Sequence, residues 1–369
     1  MVETLGTCTD QFAPVREALT ASLNDKDVGA SVAVYLDGEP VVDLWGGHTD
    51  EARTDLWQRD TITNTWSTTK TMTALCALVL ADRGELDLDA PVARYWPEFA
   101  ANGKDDVRVR HLLGHTAGLP TWDAPMTIED LYDWPTATAR LAAQAPAWKP
   151  GTEAGYHAST YGHLLGEVVR RITGRSLGAF FAEEIAGPLG ADFHIGLSAE
   201  HDHRVTPVIP PAERPRDPDA EPDRPGNPPI VAGTANTEAW RRAEIPAANG
   251  HGNARSVAAV QSVLACGGTA RGVRLLSEAG CARVLEEQFN GTDSVLGGPI
   301  RWGMGYSLSD QLPNPRTCSW GGWGGSMVLV DMDARLTVAY VMNRMINSGD
   351  PGDDRAFLMV AAAYEGLSG

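Results

Sequence analysis

The sequence predicts an α+β fold: one antiparallel sheet flanked by helices and built from both ends of the chain, with a mainly helical lobe inserted between. Three observations carry this expectation. Hairpin patterns stand near both ends, helical periodicities fill the middle, and 369 residues suggest two lobes rather than one minimal domain. The expected division gives residues 1–66 and 290–369 to the sheet lobe and 67–289 to the helical lobe, with the functional site between them.

In chain order, residues 10–24 have amphipathic helical spacing. The stretch SVAVYLDGEPVVDLWGG (31–47) alternates around Asp37-Gly38, a strong hairpin signal. The run around Ala74–Ala81 is apolar but far shorter than a membrane span, and reads as a buried helix. TYGHLLGEVVRRITG (160–174) places Tyr161, Leu164, Leu165, Val168, Val169 and Ile172 on one face and stops at Gly174. A further helix follows over 176–190, with Ser176 as its N-cap. Residues 207–229 are dense in proline and charge and read as an irregular loop, a candidate lid over the cleft. Residues 303–309 read as a strand before a second hairpin over 326–343 that turns near Asp331–Arg335, and 353–366 as a closing helix.

The formal charge of -18 argues against nucleic acid and anionic membrane surfaces as partners. No secretion signal or membrane-length apolar run is visible. Cys8, Cys76, Cys266, Cys281 and Cys318 are odd in number and scattered, which indicates neither a disulfide framework nor a zinc knuckle. A cytoplasmic protein fits these features. His201-Asp202-His203 has no further ligands at useful spacing, and no phosphate loop, dinucleotide fingerprint or nucleophile elbow occurs, so neither metal nor cofactor is expected.

The motif that carries chemistry is Trp66-Ser-Thr-Thr-Lys70. Met72, Leu75, Cys76 and Val79 follow at helical spacing, so Ser67 starts a buried helix and Lys70 lies one turn on, on the same side. A serine hydroxyl needs an adjacent base, and a lysine serves when burial favours its neutral form. A polar helix start with a solvated lysine is the bland alternative, and this motif by itself does not decide between them.

Together with RHLLGHTAGLP (110–120), KPGTEAGYHASTYGHLLG (149–166) and WGGWGG (320–325), the chain resembles the penicillin-recognising serine enzymes over residues 10–365. These include the class C β-lactamases, the DD-peptidases and the family VIII carboxylesterases, and the last are the nearest in pattern. The resemblance implies a β-lactamase/transpeptidase-like fold with Ser67 as acylated nucleophile, Lys70 taking or relaying its proton, and Tyr156 as a general base of lowered pKa. It further implies an oxyanion hole from the backbone N–H groups of Ser67 and Trp323, on a glycine-rich edge strand. Two departures bear on substrate: Ala158 stands where the family's Tyr-x-Asn motif has asparagine, and Trp320-Gly321-Gly322 replaces Lys-Thr-Gly. The missing lysine removes a partner for an anionic substrate carboxylate and favours neutral esters. Trp320, Gly321, Gly322, His157 and His251 are candidate substrate contacts, and His115 is read as bracing.

The expected activity is ester hydrolysis through an acyl-enzyme on a small-molecule ester. The alternatives are an acyltransferase of secondary metabolism, like the statin side-chain acyltransferases of this superfamily, which passes the acyl group to an alcohol or amine acceptor, and a non-catalytic binding protein on the same fold. A β-lactamase or DD-peptidase role is disfavoured by Trp320 and by the absence of a visible secretion signal.

Overall fold

A computed structural model describes residues 2–212, 226–347 and 353–368. Its strands, in chain order, are β1 (Thr4–Cys8), β2 (Gly29–Leu36), β3 (Glu39–Gly47), β4 (Thr63–Asn64), β5 (His251–Gly252), β6 (Thr269–Ala270), β7 (Val273–Arg274), β8 (Phe289–Thr292), β9 (Pro299–Trp302), β10 (Ser307–Leu308), β11 (Thr317–Gly321), β12 (Met327–Asp331) and β13 (Leu336–Met342). Nine of them form one antiparallel sheet in the order β1-β3-β2-β13-β12-β11-β10-β9-β8. The two ends of the chain meet at its centre, where β2 pairs with β13 from Leu36↔Leu336 to Ala30↔Met342.

Both central strands are buried almost throughout, so both faces of the sheet are covered. The helix Ala254–Ala265 packs against β2, β12 and β13, and its first amide donates to Ser31 Oγ. The opposite face carries the helices Ala13–Asp25 and Arg355–Ser368, packed against each other. The first hairpin turns at Asp37 and Gly38 with φ of 53° and 82°, the doubly positive geometry that suits the twist of paired strands.

The helical region is organised around Thr69–Asp82, whose residues from Thr69 to Leu80 are all buried. A helix apolar on every side belongs inside a lobe, and this one packs on the amphipathic helix Thr160–Thr173. Gly174 ends that second helix in the left-handed conformation. Ser176 caps the next helix by accepting from the Ala179 amide, and a π-helical turn at Ala182–Ala186 interrupts it.

Two expectations change. The strand over 303–309 shrinks to Ser307–Leu308, because Gly305 takes a φ of 82° and the Gly303 amide turns back to Tyr306 O. The glycine-rich strand β11 lies inside the sheet and is not its edge strand. Its neighbour β10 covers only Cys318 and Ser319, however, which leaves one side of Trp320 and Gly321 free. Residues 213–225 of the proline-rich loop, on which the lid expectation rests, lie outside the described residues. Among the described residues no helix is long and apolar enough to cross a membrane.

Candidate active site

Ser67 sits in a single 3-10 turn, Trp66–Thr68, that leads into the buried helix. The residue before it is strained: Trp66 has a φ of 50°, which bulky side chains rarely adopt and which costs about 1–3 kcal/mol. Packing holds it there. The Trp66 ring lies against Trp240 at 5.6 Å and Trp323 at 4.9 Å between centroids. Behind it, Thr65 is tied to Gly250 through its amide and hydroxyl.

One helical turn on, Lys70 is fully buried. Its Nζ lies 3.1 Å from Ser67 Oγ and donates to two main-chain carbonyls, Ala158 O at 2.7 Å and Ala247 O at 2.9 Å. Burial without a neighbouring carboxylate holds the Lys70 pKa well below that of a free lysine. A neutral amine has two N–H donors and one lone pair. Two carbonyls account for the donors, and the remaining direction faces Ser67 Oγ.

Tyr156 Oη meets the same serine oxygen at 2.7 Å. Its pKa runs opposite to the expected lowering: burial pushes it up to about 12, against the pull of the hydroxyl of Ser67 and the indole of Trp320. The physical reason is burial of the phenol, with the Asp293 carboxylate adding to the rise; Lys70 Nζ lies 4.8 Å from the ring centre. Tyr156 is therefore a protonated donor.

The turn after β11 brings Trp323 against Trp66, the residue before Ser67. Gly322 N donates to Ser326 O at 2.7 Å, Ser326 Oγ donates to Thr65 O at 2.8 Å, and Ser326 Oγ meets Thr68 Oγ1 at 3.0 Å. Gly322 is indispensable to that approach, since a Cβ there would lie 2.4 Å from Thr65 O. From beneath, Arg355 Nη2 donates to Gly324 O at 2.8 Å while its other nitrogens bind Asp27, Arg344 O and Asp353. Among the described residues, neither the Ser67 nor the Trp323 amide donates to a protein acceptor.

The remaining candidates stand further back. His157 is buried with both ring nitrogens occupied, Nε2 accepting from Leu119 N and Nδ1 meeting Gly155 O, which leaves none for substrate; burial lowers its pKa to about 4. His251 is likewise buried, its Nδ1 against Asn249 O and its main chain paired with Asn64 in β4, and it makes no hydrogen bond to Ser67, Lys70 or Tyr156. Trp320 is also buried, stacked on His115 and Trp302 behind the phenol, whereas Gly321 is exposed and Gly322 partly so. His115 accepts the His157 amide and braces the tyrosine loop. Asp202 of the His-Asp-His run is taken by Arg241 and Arg242.

Sequence reasoning missed Ala247, Ser326 and Arg355, and also Asp293, whose Oδ1 accepts the Tyr156 amide at 3.0 Å. Ala247 contributes a carbonyl, which no side chain advertises. Arg355 had a signal, since it shares a buried stripe with Met359 and Ala363 at four-residue spacing, where an unpaired charge is not tolerated.

A Beta-lactamase family model matches residues 17–363. A crystal structure of a family VIII carboxylesterase is 45% identical, with a TM-score of 0.92 over 99% of this chain and 100% of that one. Esterase/beta-lactamase LipL from Mycobacterium tuberculosis is 35% identical over 93% of this chain and 83% of its own. Esterase EstB from Burkholderia gladioli is 30% identical over 93% and 88%. Acyltransferase matches are more distant: monacolin J acid methylbutanoyltransferase from Aspergillus terreus is 33% identical over 36% of this chain and 37% of its own. With a model that spans nearly the whole sequence and relatives of this extent, the chain belongs to the beta-lactamase family.

Proposed function

We propose that this protein is a serine carboxylesterase that hydrolyses neutral esters through an acyl-Ser67 intermediate. One observation carries the reading: Lys70 Nζ and Tyr156 Oη converge on Ser67 Oγ at 3.1 and 2.7 Å, with the other lysine hydrogens already engaged. In the first step the Ser67 proton passes to the Lys70 lone pair as Oγ bonds to the ester carbonyl carbon. The carbonyl oxygen takes the displaced electron pair and faces the Ser67 and Trp323 amides. Collapse breaks the carbon–oxygen ester bond; the departing alkoxide takes the Tyr156 proton, and the Lys70 ammonium restores it. An alcohol leaves, and both catalytic groups return to their starting charge. Water then repeats the sequence on the acyl-enzyme and releases the acid.

Esterase relatives support the choice of substrate class. So does Trp320, which replaces a cation that would recognise an anionic substrate. The test is hydrolysis of a short p-nitrophenyl ester by wild type and Ser67→Ala, with and without added alcohol or amine. Cleavage by wild type alone, unchanged by the nucleophile, is expected. Capture of the acyl group by the nucleophile would make transfer the main reaction, and full activity in Ser67→Ala would remove Ser67 from the chemistry.

A further inference from the structure

We propose that Asp293 is a positioning residue for this reaction, its buried carboxylate fixing both the main chain and the ring of Tyr156. The inference rests on the catalytic reading of Tyr156. Asp293 is fully buried in the turn between β8 and β9. Its Oδ1 accepts the Tyr156 amide at 3.0 Å together with those of Val295 and Leu296, both at 2.9 Å. Its Oδ2 accepts Trp302 Nε1 at 3.1 Å. The Trp302 ring in turn stacks on Tyr156, with centroids 6.1 Å apart and planes 18° apart, and on Trp320 at 5.1 Å.

A buried carboxylate is costly unless its lone pairs are filled, and here they are filled by the residue that touches the nucleophile and by the indole behind it. The turn's own needs are met by Val295 and Leu296. The Tyr156 and Trp302 contacts serve a different end: they lock a loop, which has no helix or strand of its own, onto the sheet at the point where Oη must meet Ser67 Oγ. A shift of about 1 Å at such a contact costs about 10²-fold in rate.

The test is a double-mutant cycle on kcat and KM for a short p-nitrophenyl ester. Asp293→Ala is expected to lower kcat about 10²-fold with KM little changed. In a Tyr156→Phe background the same change is expected to cost less than about threefold, because the group it positions is gone. Generic structural damage would lower kcat by the same factor in both backgrounds, and that result, or an unchanged kcat in Asp293→Ala, overturns the proposal. If Asp293→Ala does not fold, Asp293→Asn carries the same comparison: its amide nitrogen confronts the Trp302 N–H donor to donor while Oδ1 remains for the amides. A Tyr156→Phe variant with wild-type kcat would overturn the catalytic reading itself; a low kcat in Tyr156→Phe with no effect of Asp293→Ala would overturn only the positioning role.

Discussion

Gly322→Ala isolates the proposed oxyanion turn from the rest of the site. A Cβ at Gly322 would lie 2.2 Å from Ser326 Oγ, 2.4 Å from Thr65 O and 3.2 Å from Thr68 Oγ1. The serine hydroxyl can rotate away, but Thr65 O is main chain and belongs to the segment that enters the Ser67 turn. Relief to ordinary contact requires the strand end to retreat by about 1 Å, which carries the Trp323 amide away from the oxyanion position. Loss of one such donor costs about 10²–10³ in kcat, or about 2.7–4 kcal/mol of barrier. Overpacking should also lower stability by about 1–3 kcal/mol. Gly321→Ala is the control one residue away, since its nearest contact would be Ser326 O at 3.8 Å. Steady-state kinetics on a p-nitrophenyl ester, with the rate of Ser67 labelling by a fluorophosphonate, should show a slow Gly322→Ala and a nearly normal Gly321→Ala. Equal losses in both, or wild-type kcat in Gly322→Ala, would refute the steric reasoning.

Further outcomes are expected. The pH profile of kcat/KM should rise as Lys70 loses its proton well below the usual lysine range and then stay level until Tyr156 ionises at about 12; a profile that follows a neutral-pH histidine would contradict it. Because the folded-state pKa of Lys70 is depressed, the unfolded chain binds the extra proton and wild type gains stability as pH rises towards the free-lysine value. Lys70→Met lacks that gain, so the wild-type Tm should climb relative to the variant between pH 7 and 10, and parallel melting curves would argue for a charged lysine. Tyr156→Phe should lower kcat by about 10²–10⁴ with the fold retained, as measured by kinetics and circular dichroism. Arg355→Met strands Asp27, buried at 0% exposure, and should cost about 3–5 kcal/mol in denaturant unfolding as well as lowering kcat.

Much of this was legible in the residues. Asp37-Gly38, the alternation on either side of it and the apolar run after Lys70 predict a hairpin and a buried helix, because local backbone preference and burial agree there. The strand misread over 303–309 shows the limit: GMGYSLS has the composition of a strand, but Gly305 buries its backbone against Ala74 and Tyr161 and turns instead. Ser67, Lys70 and Tyr156 were visible because their side chains, which meet at Ser67 Oγ, stand at spacings a helix and a motif define. The direction of the Tyr156 pKa was not, because it depends on how deeply a loop is buried. Ala247 O, Ser326 and Asp293 reach the site only through long-range folding, and nothing local in their sequence distinguishes them from ordinary turn residues.

The tie between Arg355 and Gly324 O has a consequence for the order in which a newly made chain becomes an enzyme. Translation delivers Ser67, Lys70 and Tyr156 first, the Trp323 turn much later, and Arg355 later still. At about 5–20 residues per second, tens of seconds separate Ser67 from the groups that hold its proposed oxyanion cradle. The central pairing of β2 with β13 imposes the same delay, because the strand that would close the sheet has not been made. A ribosome-bound chain can thus carry a serine and its base without the means to stabilise the charge they would create. Ester turnover in a translating extract should appear only when the helix that carries Arg355 has been made, and a chain stopped before Arg355 should stay silent.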